Sequence, residues 1–218
     1  MTATRVLVMA KAPHPGQVKT RLGAEVGHHV AADVAAAALL DTLVACREAV
    51  GSRRCHLALA GELDGAAREA DLRDGLEGWT VRPQRGDGFA ERLTHAHLDL
   101  GPGPVVQIGM DTPQVDGTLL DQIADQLDGR GAVLGPAVDG GWWALGLRDP
   151  ADARALEGVP MSRPTTGRDT RAALEATGLD LAKAAKLRDV DTAADAEAVA
   201  ATIPDSAFAR AWRAVSVR

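Results

Sequence analysis

The sequence predicts an α/β fold, a mostly parallel sheet covered by helices on both faces. Three observations predict it. Short apolar runs of strand length alternate with longer segments of helical spacing along the chain. Runs such as Val6–Ala10 and Val105–Gly109 have the character of strands buried on both faces. Charged residues follow several runs at their carboxyl ends, where sheets of this kind bind ligands. The 218 residues suffice for one sizeable core, and nothing reads as a linker, so a single domain over residues 1–218 is expected.

Arg5–Ala10 reads as the first strand and empties into a turn containing Pro13, Pro15 and Gly16. Ala24–Val50 reads as one long helix, with Val30, Val34, Ala37, Ala38 and Val44 at helical spacing. Cys55–Ala60 is the second strand, followed by a helix over Gly65–Asp74 and a short strand, Thr80–Pro83. Gly86-Asp-Gly88 opens a helix from Phe89 to Leu100. The strand Val105–Gly109 ends at Asp111-Thr-Pro113, before a helix over Asp116–Leu127. Ala132–Leu134 and Trp142–Leu147 have strand character on either side of Asp139-Gly-Gly141. Helix signals recur over Pro150–Leu156 and Arg168–Thr177, and Ala185–Val190 reads as the last strand before Asp191. Helices over Ala193–Ala201 and Asp205–Val215 close the chain.

The formal net charge is −6 and the basic residues are scattered, which argues against a nucleic-acid groove and points to small ligands. The Ala-rich stretch Val30–Val50 is broken by Asp33, Asp41, Arg47 and Glu48, so it reads as a soluble amphipathic helix and no membrane span is expected. Cys46 and Cys55 form no C-x-x-C or disulfide-framework pattern, and no charged leader precedes a long apolar segment. A reducing cytoplasm is the expected compartment.

The turn after the first strand carries three cations, Lys11, Lys19 and Arg21. Gly16 lets the backbone approach a ligand closely, while Lys19 and Arg21 offer a point charge and a planar fork suited to phosphate oxygens. This is not a Walker A loop, because Val18 rather than glycine precedes Lys19. Asp111 and Asp191 both stand where the chain leaves a strand, and two such carboxylates can share one Mg²⁺ whose shell substrate phosphates complete. Each can equally belong to a helix cap, Asp111 or Thr112 before the Asp116 helix and Asp191 or Thr192 before the Ala193 helix. Asp189 ranks below Asp191, since strand alternation turns it to the opposite face.

Asp139-Gly140-Gly141 is either a plain hairpin turn or an anion-holding nest beside an acid. Trp142 and Trp143 face opposite ways on a strand, which allows one to be core and the other to wall a pocket. The hydroxyl-rich stretch Gly158–Gly167, with Ser162, Thr165 and Thr166, is a candidate acceptor loop. The histidines have no paired-ligand spacing, and neither a G-x-S-x-G elbow nor a dinucleotide G-x-G-x-x-G is present.

Five segments, in order, resemble the radical-SAM/selenodomain-associated transferase family: P-x-P-G-x-x-K-T-R-L at Pro13–Leu22, G-D-G-F-A-E-R-L at Gly86–Leu93, I-G-M-D-T-P at Ile108–Pro113, G-P-A-V-D-G-G-W-W at Gly135–Trp143, and D-V-D-T at Asp189–Thr192. The first and last are also similar to segments of guanylyltransferases that activate phospholactate or phosphoenolpyruvate. The resemblance implies a GT-A-like, Rossmann-type three-layer αβα sandwich and a site that binds a nucleoside triphosphate or a nucleotide-sugar with Mg²⁺ or Mn²⁺. By that likeness Lys19 and Arg21 hold a triphosphate and Asp111 with Asp191 the metal. Ala10, Lys11, Gly16, Gly88 and Arg92 are further candidates for nucleotide contact, Asp139, Gly140, Gly141, Ser162, Thr165 and Thr166 are candidates for the acceptor side, and the chemistry is expected of Lys19, Arg21, Asp111 and Asp139. The family pattern has tyrosine where Trp142 stands and tryptophan where Met161 stands.

Three functions follow as expectations. One is a Mg²⁺-dependent nucleotidyltransferase acting on a small phosphorylated or carboxylated acceptor. The second is a glycosyltransferase on the same fold, which would ordinarily present D-x-D where this chain has Asp111-Thr112-Pro113. The third is a non-catalytic nucleotide-binding domain.

Overall fold

A seven-stranded sheet organises residues 3–215, which are those described by this computed structural model. Its strands are β1 (Arg5–Lys11), β2 (Cys55–Ala60), β3 (Thr80–Pro83), β4 (Val105–Gly109), β5 (Ala132–Pro136), β6 (Trp142–Leu147) and β7 (Leu181–Lys183), in the order β3-β2-β1-β4-β6-β5-β7. Only β6 runs antiparallel to its neighbours, β4 and β5; the other pairs are parallel. The mixed, mostly parallel sheet is the one the sequence predicts.

Alternation along β1 sends Val6, Val8 and Ala10 to one face and Leu7 and Met9 to the other. The first face is covered by α2 (His28–Val50), α3 (Glu69–Gly75) and α5 (Gly117–Leu127). The second is covered by α4 (Phe89–Leu98), a 3-10 segment over Pro150–Leu156, and α6 (Thr166–Ala176). These make the three layers. α1 (Thr20–Val26), α7 (Ala193–Thr202) and α8 (Ala207–Val215) pack together over the outer side of α2. Each large aliphatic side chain buried in these seams contributes about 1.5–3 kcal/mol.

Three expectations need correction. The long helix is two helices, because Gly27 adopts φ +95°, outside the helical region, and separates α1 from α2. α2 is not amphipathic: Ala35, Leu39 and Leu43 face the sheet layer while Ala31, Val34 and Ala38 face α7 and α8. That double burial explains its composition. The helix is long and apolar enough to cross a membrane, but 67% of its most apolar stretch is buried within the protein.

The last strand also lies elsewhere. β7 is Leu181–Lys183, pairing with β5, and residues 185–190 form no strand, keeping a bridge between Ala137 and Leu187 and the hydrogen bond from Trp143 Nε1 to Ala185 O. On that side of β5, Pro136 has no N–H to donate, although its carbonyl accepts from Leu187 N at 3.1 Å. The segment is also tied to the end of β4. Val190 N donates to Asp111 O at 2.9 Å, and Gln114 Nε2 donates to Arg188 O at 2.7 Å.

Candidate active site

β1 and β4 are parallel neighbours, with Met9 opposite Gly109, so the chain leaves both strands at one edge of the sheet. The turn after β1 returns there through Lys19, whose backbone is held in the left-handed region at φ 46°. A non-glycine residue in that conformation costs on the order of 1–3 kcal/mol and persists only where the surroundings impose it. Here it aims the ammonium between two carboxylates. Lys19 Nζ lies 2.6 Å from Asp111 Oδ1 and 3.1 Å from Asp191 Oδ1. Its side chain is 6% exposed, whereas those of Asp111 and Asp191 are 48% and 44% exposed. Burial alone would lower the Lys19 pKa, but the two carboxylates outweigh it and hold the pKa above the usual lysine value.

Neither aspartate is used as a helix cap. Asp116 caps α5 by accepting from Leu119 N at 2.9 Å. Thr192 caps α7 in a reciprocal box with Asp195. The Asp111 and Asp191 side chains are therefore directed to Lys19 rather than to helix ends.

Two cavities meet at the two carboxylates. The first, of about 330 Å³, is lined by Lys11, Gln17, Lys19 and Arg21 together with Asp111 and Asp191. Arg21 reaches Asp191 Oδ2 only at 3.9 Å and its side chain is 79% exposed, leaving most of its guanidinium donors to solvent. The second cavity, of about 250 Å³, shares Asp111 and Asp191 and extends over Gln107 to Trp142, Met161 and Ser162. Asp139 and Asp189 also line it.

Sequence alternation placed Asp189 on the wrong face, because residues 185–190 do not form the strand on which that alternation depends. Burial, then the neighbouring Asp111 and Asp139, raise its carboxyl to about 7, with Asp191 adding to the rise and Lys19 opposing it. The consequence for stability has a definite sign. The folded protein retains a proton on Asp189 that the unfolded chain loses near pH 4, so stability falls as pH rises from about 4 to about 7 and is level above. Asp189→Asn should flatten that decline and stabilise the protein at pH 8 by about 2 kcal/mol, after discounting for solvent screening. Urea unfolding of both proteins across this range provides the measurement.

The Asp139 turn is closed on itself. Gly141 N donates to Asp139 Oδ1 at 2.8 Å and Gly140 N to Ala137 O at 3.4 Å, so those N–H groups are consumed and the nest reading gives way to a plain turn. The glycine at 140 is there for close packing. A Cβ on it would stand 2.1 Å from Pro164 O, and its φ is +92°. Gly140→Ala should cost about 2–4 kcal/mol or displace the Pro160–Gly167 segment, as checked by equilibrium unfolding and by loss of ligand-induced stabilisation.

Other residues singled out from the sequence have structural occupations. Thr166 Oγ1 donates to Pro160 O at 2.9 Å and Thr165 Oγ1 to Asp169 at 2.7 Å, fastening the loop to α6, while Ser162 stays exposed at the cavity. Ala10 is buried, and its carbonyl accepts from Gln84 Nε2 at 2.9 Å. Gly88 precedes α4, and Arg92 Nε donates back to Gly86 O at 3.1 Å, so neither lines the two cavities. Gly16 is exposed at φ +74°. Trp143 is buried, its Nε1 donating to Ala185 O, whereas Trp142 is half-buried and fixed by an Nε1 hydrogen bond to Thr170 at 3.1 Å.

Gln107 escaped the sequence reading altogether. It is the one polar side chain in the strand Val105–Gly109, and that interruption is the signal that could have found it. Behind it on α4, His97 is fully buried, and burial lowers its pKa to about 4, so the ring is neutral.

The fold is that of the nucleotide-diphospho-sugar transferases. At 26% identity and a TM-score of 0.83, the chain is similar to a Desulfovibrio desulfuricans G20 protein provisionally assigned to that group, covering 98% of this chain and 94% of that one. It is similar in fold to a cytidylyltransferase from Leptospira borgpetersenii (14% identity, TM-score 0.62, 98% and 93% covered). It is also similar in fold to Rv0371c of Mycobacterium tuberculosis H37Rv, solved with manganese (21% identity, TM-score 0.53, 91% and 98% covered). Residues 42–163 match the DUF2064 family, described as uncharacterized and conserved in bacteria, and the chain belongs to that family. No curated protein matches it.

Proposed function

We propose that the protein is a transferase that moves a nucleoside monophosphate from a nucleoside triphosphate to a small phosphorylated or carboxylated acceptor, releasing pyrophosphate. The observation that carries this reading is the meeting of two cavities at Asp111 and Asp191, the pair that Lys19 bridges, one cationic at its outer end and one walled by acids and aromatic rings. The triphosphate occupies the first, where Lys11 and the free fork of Arg21 hold its outer phosphates. An acceptor oxygen in the second attacks the α-phosphorus in line; the bond from that phosphorus to the bridging oxygen breaks, and the electron pair leaves with pyrophosphate. Lys19 neutralises charge at the junction, and no protein nucleophile is required. Where the acceptor is a hydroxyl, the free oxygen of Asp139 can take its proton.

The donor set fits a divalent cation: Asp111 and Asp191 offer hard oxygens that already converge on one cationic centre, the Lys19 ammonium. No cluster of three or more metal-type side chains stands ready among the described residues, so water and phosphate oxygens would complete any shell. Bound there, Mg²⁺ or Mn²⁺ supplies Lewis-acid neutralisation of the phosphate oxygens. Both cysteines are free and buried, in keeping with a reducing cytoplasm.

The likeness to a protein provisionally assigned as a nucleotide-diphospho-sugar transferase favours a second reading, glycosyl transfer from a nucleotide-sugar. Thermal stabilisation by each nucleoside triphosphate and each common nucleotide-sugar with Mg²⁺ separates the two, since ligand at about 100 times its Kd adds roughly 2.7 kcal/mol. Stabilisation by a triphosphate, with pyrophosphate as product, is expected. Stabilisation by nucleotide-sugars alone, with a nucleoside diphosphate released, would overturn nucleotidyl transfer. Binding without turnover of any acceptor would indicate a non-catalytic domain.

A further inference from the structure

We propose that Gln107 is the specificity-determining residue of the acceptor cavity, and that it reads a neutral hydroxyl on the body of the acceptor, away from the attacking oxygen. The inference rests on the assignment of the second cavity to the acceptor and goes further in naming what that cavity selects.

Gln107 lies in the middle of β4, on the sheet face covered by α4, and lines the cavity although the residue is only 2% exposed. Its Oε1 is buried on the side of His97, whose ring it approaches without a well-formed hydrogen bond, while the Gln107 Nε2 has no partner and is not among the buried atoms. A carboxamide left in this condition is unfavourable, and a ligand group that meets it at the cavity gives it a partner. A carboxamide both donates and accepts, and a hydroxyl does the same, so a hydroxyl satisfies it whichever way the amide is turned.

The charge around the cavity favours a neutral partner. The carboxylates Asp111, Asp139 and Asp191 line it, against one guanidinium, Arg163, with Lys19 at the border already shared by two of them. An acceptor bearing a second anion deep in this cavity would meet carboxylates in a desolvated setting. The ring of Trp142, fixed by Thr170, and Phe89, 47% exposed at the same cavity, offer flat apolar surface to the C–H face of a hydroxylated ring. The body that fits is therefore neutral, hydroxyl-bearing and partly apolar.

The test compares wild type with Gln107→Leu, which keeps the volume and removes the amide, so the variant should fold and melt no lower than wild type. Binding is followed by thermal shift and ligand-observed NMR, with Mg²⁺ and nucleoside triphosphates as a control for the first cavity. The acceptor probes form two sets. Glucose 1-phosphate, mannose 1-phosphate and glycerol 3-phosphate have neutral hydroxylated bodies; phosphoenolpyruvate, 3-phosphoglycerate and glucuronic acid 1-phosphate carry a second anion. Wild type should bind members of the first set at least tenfold more tightly than the second, and Gln107→Leu should lose about 10- to 100-fold for that set while triphosphate binding stays unchanged. No binding of any neutral-bodied probe, preference for the set carrying a second anionic group, or a variant within threefold of wild type would each overturn the proposal. A failed triphosphate control with Gln107-dependent binding intact would instead remove the nucleotidyl-transfer reading and leave the cavity assignment standing.

Discussion

Asp111→Asn should lower kcat by about 10²–10³-fold while the protein remains folded, with a stability loss of about 1–2 kcal/mol. The activity loss follows from the position of Asp111 on both cavities and in direct contact with Lys19. The small stability loss has a separate cause. Asparagine keeps an oxygen near Nζ, and Lys19 retains Asp191 at 3.1 Å, so the buried ammonium is not abandoned. Asp111→Ala is a poorer probe, since it removes that oxygen and mixes a charge defect with a catalytic one. Pyrophosphate release under saturating triphosphate, alongside urea unfolding, separates the effects. Unchanged release by Asp111→Asn would remove the triad from the chemistry.

The second large effect concerns Lys19 itself. Lys19→Met should destabilise the protein by about 1 kcal/mol, because Asp111 and Asp191 lose the cation between them but remain half exposed to solvent, and should cost about 10²–10³-fold in turnover. Methionine approximates the length of the lysine stem, so packing changes little in a side chain that is 6% exposed. Mn²⁺ should then raise the melting temperature of Lys19→Met more than that of wild type, since the same carboxylate oxygens become open to a divalent cation. Equal Mn²⁺ stabilisation of both proteins would mean that the acids do not share one cation position.

The sequence made the chemistry-bearing ends of β1 and β4 legible because both strands are short apolar runs stopped by residues that cannot continue them. Pro13 and Pro15 end one segment, and Pro113 the other. It could not make the junction legible. Lys19 looked like a phosphate ligand on a free turn, and its insertion between two aspartates depends on a left-handed backbone and on a hydrogen bond from Val190 to Asp111. Asp189 was misplaced for a related reason, since alternation is informative only where a ladder exists, and β7 ends at Lys183, leaving a single bridge at Leu187 before residue 189.

Periodicity and breaker residues by themselves determined the layered α/β architecture, the order of its main elements and the sheet edge at which charged residues gather. Those features follow from local sterics and from burying apolar side chains, which neighbouring residues specify. Tertiary structure alone decided that one ammonium joins two carboxylates, that α2 is buried on two faces, and that Gln107 lies beneath the second cavity between it and His97. Each depends on contacts between segments far apart in the chain, whose distances no local pattern encodes.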